Sequence, residues 1–237
     1  MRVTLYWFEL SNPGQAVRLM LERKGIPYET KDLVPGLHRL QVRLAGFPGA
    51  RVPALKIDGR KVQGSLSISR ALEELRPDPP LLPTPAVEEA EAWGEAVLQP
   101  VTGRIFHWAL GRDPELREWL ARESGVPAAR ALARITGPVA RAFDRSATDE
   151  AIQRDLAELP GMLDHVDELI AAGTIGTDEP NAADFQIATT VREILSLGDL
   201  RALAEGRPAA ELAHRILPEW QDSPVRLPAS SPAAAVP

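Results

Sequence analysis

The sequence predicts an α/β domain built on a four-stranded mixed sheet, followed by an all-helical bundle. Three observations lead there. A short β-branched and aromatic run at Val3 to Phe8 gives way to helical spacing, as in a strand-turn-helix unit. An Asp58-Gly59 pair between two strand-like runs is a strong hairpin signal. Beyond Pro85, helical periodicity covers nearly the whole chain.

Val3 to Phe8 is short enough for a buried strand, Ser11-Asn12-Pro13-Gly14 interrupts it, and Gln15 to Lys24 reads as a helix. Pro27 to Lys31 supports a second strand, Gly36 to Leu44 an uneven helix, and Val52 to Val62 the hairpin; a helix from about Leu66 to Leu75 closes the unit. In the order β-α-β-α-β-β-α the first β-α-β must cross over and the Asp-Gly hairpin must be antiparallel, which gives a mixed sheet flanked by helices. Arg76 to Pro85 holds too many prolines for helix or central strand and reads as a stiff linker. Helices are expected over Val87 to Leu110, Pro114 to Arg122, Pro127 to Phe143, Thr148 to Ala172, Ala182 to Leu197 and Ala209 to Ile216, the first kinked or divided at Pro100. The expected division is therefore a sheet domain at 1–76, a linker at 77–86, a helical domain at 87–222 and a mobile tail at 223–237.

A net charge of −6 without any basic patch indicates neither nucleic acid nor anionic membrane as a partner. No stretch approaches the roughly twenty apolar residues of a spanning helix, and Met1-Arg2-Val3-Thr4 opens on a strand pattern, not a signal peptide, so a cytoplasmic protein is expected. The chain has no cysteine, hence no disulfide, no thiolate metal site and no protein thiol for redox exchange; no metal is expected, and any sulfur chemistry must come from a bound molecule. Lysine stands only at Lys24, Lys31, Lys56 and Lys61 against abundant arginine and alanine, a bias associated with GC-rich bacterial genomes.

Three segments carry candidate chemistry. Ser11 ends a strand beside a helix N-terminus, where backbone N–H groups and the helix dipole favour an anion; its hydroxyl either donates to a bound thiolate or merely caps the helix. In Arg51-Val52-Pro53-Ala54-Leu55 a proline enters a strand; a cis bond would turn the Val52 backbone toward a peptide-like ligand, and a trans bond is the ordinary alternative. In Gln63-Gly64-Ser65 a strand passes into a helix, and Ser65 reads as an N-cap whose neighbouring N–H groups can receive a carboxylate.

In order and spacing these segments resemble the N-terminal domain of glutathione S-transferases, and with the helical remainder the resemblance covers nearly the whole chain. It implies a thioredoxin-like first domain, a theta-like serine-type site of a bacterial member, glutathione as co-substrate, a homodimer and a role in detoxification. Ser11 falls where such members hold the glutathione thiolate, Val52 where the backbone pairs with the cysteinyl unit before a cis proline, here Pro53, and Ser65 where the γ-glutamyl carboxylate binds. His38 lies where some members contact the glycine carboxylate, a solvated surface histidine being the alternative. Gly64 departs from the family's usual Glu, Asp or Gln, so a side-chain contact is missing and Gly64→Glu is expected to tighten glutathione binding. Trp7, not Tyr6, aligns with the tyrosine of tyrosine-using classes, and Tyr6 points to the other sheet face.

In the second domain, Asn181 and Asp184 read as the reciprocal cap of a core helix, and Trp93, Val97, Val101, Ile105 and Trp108 as an apolar stripe of core or interface. Arg104 and His107 leave that stripe, toward an electrophile site or a solvated face. The functional expectation is an enzyme that joins a glutathione-type thiol to a small electrophile. A non-catalytic binding or scaffold protein of the same fold, and a transferase using another low-molecular-weight thiol, are the alternatives.

Overall fold

The computed structural model describes residues 1–123 and 144–220; the helix expected at Pro127 to Phe143 and the tail at 223–237 lie outside them. In chain order the elements are β1 (Val3–Trp7), α1 (Asn12–Arg23), β2 (Glu29–Asp32), α2 (His38–Leu44), β3 (Ala54–Ile57), β4 (Arg60–Gln63), α3 (Ser65–Leu75), α4 (Pro85–Trp93), a π-helical turn (Gly94–Leu98), α5 (Gln99–Arg112), α6 (Pro114–Glu123), α7 (Asp149–Ala171), α8 (Ala182–Ser196), α9 (Gly198–Ala204) and α10 (Pro208–Ile216). Packing divides the chain into one unit of Met1–Ala96 with Leu169–Thr190 and another of Val97–Glu168 with the residues from Val191 on.

In the first unit the sheet runs β2-β1-β3-β4. β1 is parallel to β2, as the α1 crossover requires, and antiparallel to β3, which pairs antiparallel with β4. Asp58 (φ 45°) and Gly59 (φ 96°) form the two-residue turn whose left-handed backbone matches strand twist. Val3, Leu5 and Trp7 are buried on β1, and the core is completed by Ala16, Val17, Met20 and Leu21 of α1 with Ile68 and Leu72 of α3. A smaller cluster of Leu33, Val42, Phe47 and Ala54 takes in Tyr6, whose ring meets Phe47 edge-on at 5.2 Å. β2 is exposed throughout and charged, as suits an edge strand.

The structure departs from two expectations. Ser11-Asn12-Pro13-Gly14 is not a break before a helix starting at Gln15, because α1 begins at Asn12. Pro13 falls in the first turn, where its missing N–H would have had no intrahelical acceptor. Arg76 to Pro85 is not merely a spacer either: Leu81 is fully buried, its N–H donates to Glu73 at 2.9 Å, and its carbonyl accepts from Ala182 at 2.9 Å. Lys24, itself buried, pairs with the same Glu73 at 2.5 Å and donates to the Pro77 carbonyl at 3.2 Å.

Pro100 divides the long helix as expected. A proline there cannot donate to the carbonyl four residues back and its ring crowds that turn; the backbone widens into the π turn between α4 and α5. The wider turn breaks the five-residue stripe, leaving Trp93 half-buried and Val97 exposed, while Leu98, Val101, Ile105 and Trp108 are buried. In the second unit Arg104 and Asp155 form a two-pronged ion pair at 2.7 and 2.8 Å, His107 meets Asp144 at 3.3 Å, and Trp108 donates to Asp149 at 2.6 Å. The short helix α9 has no counterpart in the sequence expectation.

At the start of α8 the reciprocal cap is present. Asn181 Oδ1 accepts from the N–H groups of Ala183 and Asp184 at 3.0 and 3.2 Å, and Asp184 returns the contact to the Asn181 N–H at 2.9 Å. Asp184 also accepts from Gly176 at 2.6 Å, so the pair ties a loop to the helix and is structural. Among the described residues, no helix is long and apolar enough to cross a membrane.

Candidate functional site

Strand register gathers the candidate residues. Trp7 at the end of β1 lies opposite Asp32, Tyr6 lies opposite Ala54 at the start of β3, and Ala54 lies opposite Gln63 at the end of β4. The loop to α1, the Val52-Pro53 pair before β3 and the Gly64-Ser65 step after β4 therefore all leave the same end of the sheet.

Ser11 is 5% exposed and is the N-cap of α1, its backbone extended (φ −88°, ψ 106°) and its Oγ accepting from the Gly14 N–H at 3.2 Å. The capping alternative is thus realised, but accepting a hydrogen bond leaves the hydroxyl proton to be donated. Gly14 is needed for the approach: a Cβ there would lie 3.1 Å from Ser11 Cβ, 3.2 Å from its Oγ and 3.3 Å from the Trp7 ring. Trp7 is held by its indole N–H to Asp32 at 3.0 Å, on the face opposite Tyr6.

The Val52–Pro53 peptide bond is cis. Pro53 is buried, and its carbonyl accepts from the Gly64 N–H at 3.0 Å, which joins the second candidate segment to the third. Gln63, a residue the sequence reading did not single out, clamps the preceding loop: it accepts from Gly49 N–H at 2.9 Å and donates to the Arg51 carbonyl at 2.6 Å.

Gly64, not Ser65, is the N-cap of α3, and no side chain caps that helix. Ser65 is the first helical residue and is buried, so the N–H groups of its turn have neither an intrahelical acceptor nor a capping oxygen. Gly64 has φ 89° and ψ 141°, a conformation side chains rarely adopt. This corrects the expectation for Gly64→Glu, because any side chain there strains the backbone that starts α3. His38, at the start of α2, is buried with its ring 5.3 Å from that of Phe8, so the solvated alternative is set aside.

A second cluster stands beside this edge. Arg70 of α3 pairs with Glu91 of α4 and contacts Ser69 at 2.9 Å. Burial pushes the Glu91 carboxyl up, against the pull of Ser69 and Arg70. Glu95, one helical turn on and within the π turn, is half-buried; burial raises its pKa while Arg51 and Arg70 oppose the shift. Glu95 is the site-edge residue that sequence reading missed. Among the described residues no cluster of three His, Cys, Asp or Glu forms a metal site.

A model of the glutathione S-transferase N-terminal domain matches residues 5–80, the segment that carries the sheet and all three candidate segments. Over that segment the chain is similar to the glutathione S-transferase family. A maleylacetoacetate isomerase from Pseudomonas aeruginosa is 32% identical over 137 residues, which are 51% of this chain and 64% of that one. A probable maleylacetoacetate isomerase from Caenorhabditis elegans is 36% identical over 90 residues, 37% of this chain and 42% of that one, so the chain spans about half the length of the curated relatives it matches. A crystal structure of a glutathione S-transferase from Rhodospirillum rubrum F11 superposes with a TM-score of 0.57 at 22% identity, covering 95% of this chain and 96% of that one, a likeness of fold.

Proposed function

We propose that this chain is a glutathione-dependent enzyme in which Ser11 holds the sulfur of glutathione as thiolate for attack on an electrophilic carbon. Val52 offers its backbone to the cysteinyl unit beside Pro53, the uncapped start of α3 with Ser65 receives the γ-glutamyl carboxylate, and His38 stands toward the glycine carboxylate. The observation that carries the reading is the cap at Ser11. Its Oγ already accepts from the Gly14 N–H, which polarises the O–H and makes it a better donor. The N-terminus of α1 adds a field that favours negative charge beside it.

A hydroxyl donating to an anion is worth about 1.5–3 kcal/mol, or about one to two pKa units, enough to bring a thiol of pKa about 8.5 near neutrality. The thiolate then forms a C–S bond while the leaving group departs with its electron pair. Catalysis is thiolate stabilisation and proximity, with no covalent enzyme intermediate. A second reading is favoured by the names of the relatives, which are isomerases. The same thiolate can add to a double bond conjugated with a carbonyl, allow rotation about the resulting single bond, and be expelled again, with no net change in atoms.

Thermal shift with glutathione and other small thiols, followed by turnover with an activated halo-arene, tests the reading. Glutathione at a hundred times its dissociation constant is expected to add about 2.7 kcal/mol of stability. Stabilisation without turnover on any electrophile points to the binding-protein alternative, and stabilisation by a different thiol alone to the other transferase. A response to no thiol overturns the proposal. A homodimer belongs to the same proposal: light scattering is expected to give twice the 25.8 kDa chain mass, and a single-chain mass contradicts it.

A further inference from the structure

We infer that the outer face of α2 docks an acidic amphipathic helix of a partner protein. The inference stands apart from the thiol site and rests on how α2 divides its residues between core and solvent.

One face of α2 is committed inward. Val42 is buried in the cluster with Leu33, Phe47 and Ala54, and His38 is buried with its ring against that of Phe8. The helix is also pinned at its start: the Val34 carbonyl accepts from the His38 N–H at 2.8 Å, and Gln41 Oε1 accepts from the Val34 N–H at 2.9 Å. With rotation blocked, Leu37, Leu40 and Leu44 stay in solvent, 58%, 58% and 77% exposed. At 3.6 residues per turn these three positions fall within a stripe about 60° wide. A single exposed leucine is ordinary. Three aligned on one short helix, with only Met1, Leu75 and Val97 as other large apolar side chains exposed among the described residues, form the kind of patch that marks an interaction site.

Charge selects the partner. Arg39 and Arg43, exposed and four residues apart, run along one flank of the stripe. Residues 33–57 hold these two with Arg51 and Lys56 and no Asp or Glu, in a chain whose net charge is −6. The cations are too widely spaced to read as a basic run in the sequence, and the helix sets two of them beside the leucines. Exposed charges are screened beyond about 8 Å at physiological ionic strength, so a ligand small enough to lie on α2 meets the local excess of positive charge, whereas an anionic bilayer faces the acidic chain as a whole. The complement of this surface is a helix with apolar anchors at i, i+3 or i+4 and i+7, and with carboxylates four apart on the flank that meets Arg39 and Arg43.

The test is fluorescence-anisotropy titration of the full chain with two labelled model peptides of about fourteen residues, each an amphipathic helix with leucine anchors at that spacing, one flanked by glutamates and the other by lysines. Wild type is expected to bind the acidic peptide at least about tenfold more tightly than the basic one. The double substitution of Leu40→Ser with Leu44→Ser is expected to weaken that binding at least about tenfold, and Arg43→Glu to remove the preference for the acidic peptide. Leu44→Gln, at the most exposed of the three leucines, serves in its place if the double variant folds poorly. No binding of the acidic peptide by wild type, equal binding of the two peptides, or unchanged binding by the leucine variants overturns the proposal. Two further outcomes overturn it by naming another occupant. One is leucine-dependent binding to phosphatidylcholine vesicles containing about 30% phosphatidylserine without binding of the peptide, which assigns the face to a membrane. The other is an oligomeric mass that the leucine substitutions reduce, which assigns it to a second copy of this chain.

Discussion

Two helices begin at the same end of the sheet, and they begin differently. α1 is capped by its own Ser11 hydroxyl, whereas α3 starts at a left-handed glycine that offers no side chain. The first start has satisfied part of its N–H demand and retains one proton to give. The second keeps its N–H groups for something else. A capped start suits fine tuning of a nearby sulfur, and an uncapped buried start suits an anion that brings its own oxygens.

At the sheet end pH is expected to act through the bound thiol and not through the fold. The largest pH effect expected on the fold itself lies in the other unit, at Glu193, whose Oε2 is 3.0 Å from Thr102 Oγ1 and whose carboxyl burial pushes up to about 7. The folded chain holds that proton while the unfolded chain, with the ordinary value of 4.5, releases it. Stability is therefore expected to fall as pH rises from about 4.5 through 7, by up to ~3 kcal/mol. Urea unfolding at pH 5 and pH 8 checks this, and Glu193→Gln should flatten the difference. An unchanged pH slope in that variant contradicts the assignment.

Forcing a side chain onto the second start comes next in size. Gly64→Ala and Gly64→Glu should each cost about 1–3 kcal/mol in thermal or chemical unfolding and weaken glutathione binding. If Gly64→Glu instead binds glutathione more tightly than wild type, the backbone at α3 is not the constraint.

The smallest effect contrasts the two serines in stability. Removing a capping hydroxyl costs about 0.5–2 kcal/mol, so Ser11→Ala should lower unfolding free energy by that amount and Ser65→Ala by less, because Ser65 follows its cap instead of being it. Equal losses would erase the distinction between the two starts.

What could be read from the sequence was locally encoded. The Asp58-Gly59 turn needs left-handed residues and has them, the Asn181 to Asp184 cap is completed within four residues, and the order of strands and helices left one sheet topology. Ser11, Pro53 and Ser65 stand out in the sequence because each lies where a strand meets another element, beside a residue of distinctive backbone preference. Pro13 misled because a proline after Ser-Asn serves equally as a turn or as the first turn of a helix, and only packing decides. Gly64 read as a lost contact because a sequence does not distinguish a glycine that is tolerated from one whose φ is required. Glu95 was invisible, since its place depends on a π turn set by Pro100 and on the close approach of Gly94 to Ile187. The burial of His38 against Phe8 is likewise a tertiary fact without a local signal.

The central claim is that the Ser11 proton stabilises a thiolate, and the pH–rate profile of Ser11→Ala with glutathione and an activated halo-arene tests it most directly. At neutral pH the variant should turn over about ten- to a hundredfold more slowly than wild type, and as pH approaches 9 most of that deficit should disappear, because the bound thiol then ionises unaided. A variant with full activity across the range, or one whose deficit persists unchanged at high pH, would contradict the assignment of thiolate stabilisation to Ser11.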